Sequence, residues 1–498
     1  MAFYLKCKNL DISTGGKSII LLNEKEAGYY GMNPGDKVTL SWSKKKKIVA
    51  TVDLSAKAVK PGEVGLFEEV WRKKEIEDGA IVEAVLESRP LSIETLKKKM
   101  LGKPVSYEEI YSVIHDIAEG RLGEVETTYY AMSSFVKPYS DQELYYVAKA
   151  MAETGEKFNL KVKVVDKHSV GGLAGNRITP IVVAIVASCG VYIPKTSSRA
   201  ITSPAGTADV MEVLCPVQFS LPQIREIIKK TKACLVWGGG LHMAPADDKI
   251  IKVCRPLALE SFDKMIVSIL AKKVATGVDY LVIDIPVGST CKVSHMKDAK
   301  KIGKKFVMLG KKFGMKVQVV ITRANEPVGR GIGPALEARD VLRVLQQHKY
   351  RPLDLELKAV KLAGILLELK GYCRKGKGRK IAEEQIKNGK AWNKLNQIIV
   401  AQGGKKDINS EEVMQEIQRY EIHAKKSGAI YSINNRAINE VCMNLGAPLD
   451  KYSGIHTHVN FGDKVKKGQK LFTMYTSNEE RLKLGILAAN QNIIFHIK

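Results

Sequence analysis

The sequence predicts an α/β fold: a helical domain and a mostly parallel-sheet α/β domain, preceded by a β-rich module and followed by a small α/β module. Three observations predict it. From Lys161 onward, short Val/Ile-rich runs alternate with helical patterns, the order that builds a parallel sheet covered by helices. The stretch before it, residues 87–158, reads as helices alone. The chain has 498 residues, 45% of them hydrophobic and 27% charged, enough apolar material for several cores. That composition excludes a mainly disordered chain and a collagen-like or mini-protein architecture.

The elements follow in order. In residues 1–86, the runs Ser18–Leu22, Lys37–Trp42 and Lys47–Val52 are split by Gly-Gly, Pro-Gly and Lys-rich turns and read as strands. In the helical domain, 87–158, three segments place a hydroxyl before acids: Ser92-Ile93-Glu94, Ser106-Tyr107-Glu108-Glu109 and Ser140-Asp141-Gln142-Glu143. Each has the form of a capped helix start, and Leu144, Val147, Ala148 and Met151 make the apolar face of the third helix. In the α/β domain, 159–345, Val162, Val164 and Val165 predict a strand and Asp166–Gly175 a polar, Gly-rich loop. Residues 177–189 predict a helix and Val191–Thr196 a strand, with further buried strands at Tyr280–Ile285 and Lys316–Thr322. The most apolar stretch, Ile178–Pro194, is shorter than the ~20 residues of a bilayer span and contains Pro180, Ser188 and Gly190, so it reads as a buried helix. Residues 346–420 are helical and basic, with a break at Gly376 and Gly378, and 421–498 return to short strands.

The eight cysteines are scattered, no two closer than 19 residues, and no CxxC pair occurs. This fits a reducing, cytoplasmic setting and offers no zinc or redox motif. The N-terminus, MAFYLKCKNLDIS, has no signal-peptide apolar core. A net charge of +26 is compatible with a nucleic-acid binder, an enzyme for anionic substrates, or a basic surface. Lys44–Lys47 read as a hairpin turn, Lys297, Lys300, Lys301, Lys304 and Lys305 as one helix face, and Arg374–Lys380 as a second basic cluster. A solvated surface is the expected reading of these runs, with nucleotide steering or weak RNA association as the alternative. Gly329–Pro334 imitates a dinucleotide fingerprint, but Pro334 breaks the pattern and no acid lies ~20 residues on, so NAD is not expected. His456 and His458 share a strand face without a third ligand and read as a surface pair, so no metal is expected.

Three segments are candidates for chemistry. Asp166-Lys167-His168-Ser169-Val170-Gly171-Gly172 lies between a strand and a helix, where backbone N–H groups, a cation and a hydroxyl can hold an oxyanion. The alternative is a plain strand–helix turn, and His168 reads equally as a packing residue or as an acid or base. Thr196–Thr207 carries six hydroxyl side chains with Arg199 and Gly206 after a strand, either a second anion cradle or a solvated turn. Glu260, Ser268 and Lys272 are spaced to share a helical face, with Lys273 and Lys292 nearby; a salt-bridged exposed face is the alternative.

At these residues the chain resembles a known family. DKHSVGG (Asp166–Gly172), APAD (Ala244–Asp247) and SILAKK (Ser268–Lys273) resemble the thymidine/pyrimidine-nucleoside phosphorylases. SRAITSPAGT (Ser198–Thr207), VIDIPVG (Val282–Gly288) and GRGIGPALEA (Gly329–Ala338) are similar to the archaeal AMP phosphorylase branch, as is the extra N-terminal module. The resemblance implies the type II nucleoside phosphorylase fold, with a cleft that closes on substrate, and homodimers or higher assemblies. It implies a cytoplasmic pentosyltransferase in nucleotide salvage that converts AMP and orthophosphate to adenine and ribose 1,5-bisphosphate, with CMP and UMP as further substrates. No cofactor is implied, since orthophosphate is a co-substrate; neither membrane nor nucleic acid is an expected partner. By resemblance, Gly172, Ser198, Arg199, Ala200, Ile201, Thr202, Ser203 and Thr207 hold the nucleotide and phosphates. Lys167, Ser169 and Ser197 match orthophosphate positions, and Ser268 and Lys292 match base-side or substrate contacts, with Lys272 a further candidate.

The archaeal branch has an Asp as general acid, and aligning Arg255–Lys273 puts Glu260 there. Glu260 is expected to protonate the leaving adenine, which requires a carboxyl pKa raised by burial. Its extra methylene moves the proton by about one C–C bond, and a misplacement of ~1 Å can cost ~100-fold, so the Ser261-Phe262 turn is expected to compensate. Two other readings stay open: a thymidine or pyrimidine nucleoside phosphorylase, which Arg199 and Ser203 argue against, and an RNA-associated protein without catalysis, which only Glu260 favours.

Overall fold

The computed structural model describes residues 2–498 apart from 44, 45, 75, 89, 201, 202, 258, 260 and 416. The chain forms two compact units, Met1–Thr154 with Ala244–Ser261 and Gly155–Met243 with Phe262–Lys498.

The first unit opens with six strands, β1 (Ala2–Asn9), β2 (Ile19–Asn23), β3 (Lys37–Ser43), β4 (Lys46–Ser55), β5 (Glu63–Leu66) and β6 (Ile81–Leu86). They close into a barrel in the order β1-β5-β2-β4-β3-β6. Alternation fills it: along β1, Phe3, Leu5 and Cys7 point inward while Lys6 and Lys8 do not. The Lys44–Lys47 turn lies partly outside the described residues, with β4 beginning at Lys46. Helices Tyr107–Glu119 and Asp141–Glu153 start as their sequences require. The Ser106 and Ser140 hydroxyls accept from the Glu109 and Glu143 N–H groups, and those carboxylates accept from the serine N–H groups in return. Ser92 departs from the expected cap. It is the first residue of the helix Ser92–Met100, and its hydroxyl donates to the buried Asp116 carboxylate at 2.7 Å, joining two helices instead. Ala244–Ser261 lies in sequence within the α/β stretch but packs here: the helix Pro245–Cys254 sends Lys249 Nζ to the Ala118 carbonyl at 2.9 Å.

The second unit is built on five parallel strands, β7 (Val164–Ser169), β8 (Ile193–Ser197), β9 (Ala233–Trp237), β10 (Val278–Val287) and β11 (Lys316–Arg323). The order is β11-β10-β7 and β8-β9, joined where Val164 bridges Tyr192. One difference from the sequence reading matters for function. β7 continues to Ser169, so Asp166, Lys167 and His168 are sheet residues and not a polar loop. The cause is pairing: Asp166–Ser169 are in register with Leu281–Asp284 of β10, and the charges on β7 find partners inside the protein. Helix Ile178–Ser188 is buried on all sides, without a polar face, against helices Leu353–Lys370 and Lys390–Ala401. The C-terminal module, from Gln418 to Ile497, carries its own small core around Ile438, Val441 and Met474. Among the described residues no helix is long and apolar enough to cross a membrane.

The fully buried Ile185 belongs to the core formed by helices Ile178–Ser188, Leu353–Lys370 and Lys390–Ala401. Ile185→Ala is expected to lower unfolding free energy by about 2–5 kcal/mol, read by urea or thermal denaturation.

Candidate active site

The site grows from two carboxylates on neighbouring strands. Asp166 on β7 is fully buried, and Lys273 Nζ from helix Phe262–Ala275 reaches it at 2.6 Å. Lys195 Nζ on β8 lies 3.2 Å from the same carboxylate and donates to the Lys167 carbonyl at 3.0 Å. Asp284 on β10 accepts from the Ser169 hydroxyl at 2.9 Å and the Thr322 hydroxyl at 3.0 Å, and pairs with Lys358 of helix Leu353–Lys370 at 3.1 Å. Between them Lys167 is buried and donates to Thr179 Oγ1 at 3.3 Å, at the start of helix Ile178–Ser188. Four lysines thus meet two aspartates within the parallel sheet. Ser169 and Ser197 end β7 and β8 on the carboxyl side, where α/β sheets bind ligands.

Electrostatics follows from this count. Burial pushes the Asp166 carboxyl up, but Lys195 and Lys273 outweigh it and hold it below the usual range. Asp284 is held down against burial in the same way by Lys358 and Lys167. Burial lowers the Lys167 ammonium to about 7 and that of Lys195 to about 8. The His168 imidazole is driven far below its ordinary value by burial and by Lys273, Lys195, Lys167 and Lys272, so it is neutral near pH 7 and is no proton donor as imidazolium.

Loop glycines bring the predicted residues together. Gly172 has φ +83°, and a Cβ there would lie 2.4 Å from the Lys292 backbone nitrogen, so only glycine lets the loop after β7 rest on the loop after β10. Gly172 and the exposed Lys292 are neighbours for that reason. Ser169 Oγ also accepts from Asn176 Nδ2 at 3.4 Å, while the buried Asn176 Oδ1 has no hydrogen-bond donor among the described residues.

The second loop is organised by Asp209, whose carboxylate accepts from the Ala200 and Gly206 N–H groups at 2.7 Å each. A Cβ on Gly206 would lie 2.4 Å from the Ser198 carbonyl oxygen, so the loop closes on itself there. Ser197 Oγ donates to the Val236 carbonyl, Ser198 is exposed, and Ser203 Oγ donates to the Ala205 carbonyl. Arg199 differs from the expected bare cation. Its guanidinium is held by Glu212 through two 2.7 Å bonds and by Asp209 at 3.2 Å, and it stacks on Trp237. Thr207 Oγ1 instead accepts from Arg177 at 2.8 Å, and Arg177 also pairs with the buried Glu337 at 2.7 Å. Ile201 and Thr202 lie outside the described residues.

On helix Phe262–Ala275, Ser268 and Lys272 are half-buried and one turn apart, and the charge of Lys272 bears on His168. Glu260 lies outside the described residues. The Gly329–Pro334 run spends its amides internally: Gly329 N–H donates to Asp354, and those of Arg330 and Gly331 donate to Asp340. His456 faces Arg339 at 3.1 Å and His458 faces Thr473 at 2.8 Å. The lysine face at 297–304 is exposed, and Lys305 pairs with Asp263 at 2.5 Å.

Sequence reasoning missed Lys195, Asp284, Lys358 and Arg177. A signal existed for two of them: Lys195 follows Tyr-Ile-Pro, and Asp284 interrupts the apolar run Leu281–Val287. A lone charge in a buried strand pattern has to find a partner.

Known proteins share this architecture. Residues 161–392 match the family described as "Glycosyl transferase family, a/b domain", and 93–155 match "Glycosyl transferase family, helical bundle domain". Residues 429–496 match "Pyrimidine nucleoside phosphorylase C-terminal domain". The chain is 39% identical to the AMP phosphorylase of Methanocaldococcus jannaschii, over 99% of this chain and 97% of that protein. It is 41% identical to the AMP phosphorylase of Pyrococcus furiosus, over 98% and 96% of the two chains. With that of Thermofilum pendens the identity is 42%, over 93% and 89%. Among solved structures, anthranilate phosphoribosyltransferase from Thermus thermophilus aligns with 62% of this chain and 99% of its own, at a TM-score of 0.53 and 18% identity, a likeness of fold.

Asp166 is the counter-charge of two buried lysines. Asp166→Asn is expected to destabilise the protein by about 3–5 kcal/mol at pH 7, measured by chemical denaturation.

Proposed function

The chain belongs to the AMP phosphorylase family, and from that premise we propose the part each residue plays in the reaction. It is a pentosyltransferase that converts AMP and orthophosphate to adenine and ribose 1,5-bisphosphate. The observation that carries the site assignment is the surplus of buried lysines over aspartates along β7, β8 and β10, beside the strand ends at Ser169 and Ser197. Orthophosphate is a compact anion of between one and two charges near neutral pH, and it fits a surplus of that sign.

Orthophosphate attacks C1′ from this cluster. Lys167 and its neighbours supply the field, while the Ser169 hydroxyl and the backbone of Gly171 and Gly172 orient the oxygens. Ser197 lies on the same strand end as Lys195. Positioning of this kind supplies most of the acceleration when a nucleophile already carries its charge. The Ser198–Thr207 loop takes the 5′-phosphate, with the exposed Ser198 hydroxyl as a donor, while the Ala200 and Gly206 amides stay with Asp209 and fix the loop. Arg199 pairs with Glu212 and Asp209 and braces that loop. Lys292, held against Gly172, together with Ser268 and Lys272 faces the nucleotide.

The leaving adenine needs a proton. Neutral His168 cannot supply it, which supports a carboxylic acid, Glu260, as donor. CMP and UMP are proposed as further substrates, with a homodimer or larger homo-oligomer in the cytoplasm and no cofactor.

Incubation with AMP, CMP, UMP, adenosine or thymidine, with and without orthophosphate, tests this. Base release from AMP only when orthophosphate is present is the expected result; release from thymidine alone, or from nothing, contradicts it. Glu260→Gln is expected to lose about 100-fold or more in kcat, while Glu260→Asp keeps most of it. Unchanged turnover in Glu260→Gln removes Glu260 from the mechanism.

A further inference from the structure

Two buried lysines share one carboxylate. Lys273 Nζ sits 2.6 Å from Asp166 Oδ2, and Lys195 Nζ sits 3.2 Å from Oδ1. Asp166 can neutralise one of them. The other buried aspartate of the sheet, Asp284, is already paired with Lys358 and also carries the charge of Lys167. Each carboxylate therefore answers to two ammonium groups. A buried cation without a counter-charge is costly, and such groups shed a proton or acquire an anion.

We propose that Lys195 is a positioning residue whose incompletely neutralised charge, set by sharing Asp166 with Lys273, couples orthophosphate binding to the uptake of a proton. The inference rests on the phosphorolysis reading and goes beyond it. Lys195 approaches the cluster from β8 and Lys273 from helix Phe262–Ala275, and both spend their bonds on protein atoms. They act through Asp166 and the local field, not by contact with the anion. The balance is simple: a neutral lysine amine in the empty site takes a proton from solvent as the dianion enters, and no covalent bond changes.

The groups facing the pair have one overall sign. From β7 come Asp166, Lys167 and the neutral His168, and from β10 comes Asp284. Helix Leu353–Lys370 adds Lys358, and helix Phe262–Ala275 adds Lys272 beside His168. Arg177 also bears on Lys167, but it is paired with Glu337. The result is seen in the ammonium groups themselves, with Lys167 lowered to about 7 and Lys195 to about 8, burial being the first cause.

The sign follows. An anion raises a neighbouring lysine pKa, so between the free value and the raised value, binding takes up protons. Affinity for orthophosphate is then level below about pH 7 apart from the ligand's own titration, and falls as pH rises through 7 to 8 and beyond. The limiting slope is about tenfold per pH unit for each proton taken up.

Isothermal titration of the whole enzyme with inorganic phosphate at pH 8, where free orthophosphate is largely the dianion, tests this directly. Run in three buffers of different ionisation enthalpy, it is expected to report uptake of about one proton per phosphate bound. Lys195→Arg, with a charge that does not titrate, is expected to keep its affinity at pH 7 and to show a flatter decline at higher pH. Lys195→Met is expected to raise KM for orthophosphate at least about tenfold with KM for AMP within about twofold, a split that loss of general stability does not produce. Heats independent of buffer in the wild-type protein overturn the proposal, and so does an unchanged pH profile in Lys195→Arg. If Lys195→Arg does not fold, the same titration of Lys195→Met decides: a proton count that falls below the wild-type value supports the proposal, and an unchanged count overturns it. Absence of phosphorolysis altogether would sink the functional reading; phosphorolysis without proton uptake would sink only this inference.

Discussion

The second unit depends on burying two carboxylates, Asp166 and Asp284, on neighbouring parallel strands three residues apart in register, with lysines reaching them from three directions. Lys195 comes from the next strand, Lys273 from a helix that precedes β10, and Lys358 from a helix after β11. Each ion pair ties a separate element to the sheet centre. Apolar packing of the same volume would hold these elements at least as well, because desolvating charges is costly and buried ion pairs are weak stabilisers. An arrangement that adds cations beyond the number of anions is worse still for the empty protein. An anion is the partner we propose for this surplus.

The loops around the cluster follow from the same demand. An anion held by backbone N–H groups needs the chain to approach closely, and side chains obstruct that approach. Gly172 lets one loop touch the backbone at Lys292, and Gly206 lets another fold onto Ser198. Asp209 then uses its carboxylate to fix the second loop, and Arg199 braces it from outside through Glu212. The buried helix Ile178–Ser188 gives the site a rigid floor, since it is wedged between helices from the 353–401 region and has no polar face to release. Rigid support of this kind is what lets hydroxyls and amides work as a fixed shell around phosphate.

Much of this was legible before the structure. The strand–helix alternation from Lys161, the Ser106 and Ser140 caps, and the apolar helix after residue 177 are local patterns that tertiary contacts reinforced. Ser92 misled because its hydroxyl had a better partner, Asp116, that only folding supplies. Asp166–Ser169 read as a loop because its residues are polar; their strand conformation depends on lysines 29 and 107 positions from Asp166, at 195 and 273, which no local window contains. Lys272 drew attention over Lys273 for its spacing to Ser268, yet the neighbour one residue on is the one turned inward. Arg199 kept its place in the loop but not its freedom, since Glu212 had no visible link to it in sequence. The lysine face at 297–304 remains exposed and separate from the buried cluster.

The central claim is that the surplus of buried lysines is the orthophosphate site. Equilibrium dialysis with radiolabelled orthophosphate at pH 7, comparing the wild-type protein with Lys358→Met, tests it most directly. One saturable site per chain, weakened at least about tenfold when Lys358 loses its charge, is the predicted result. No saturable site, or a site that Lys358→Met leaves unchanged in a variant that still folds, would contradict it.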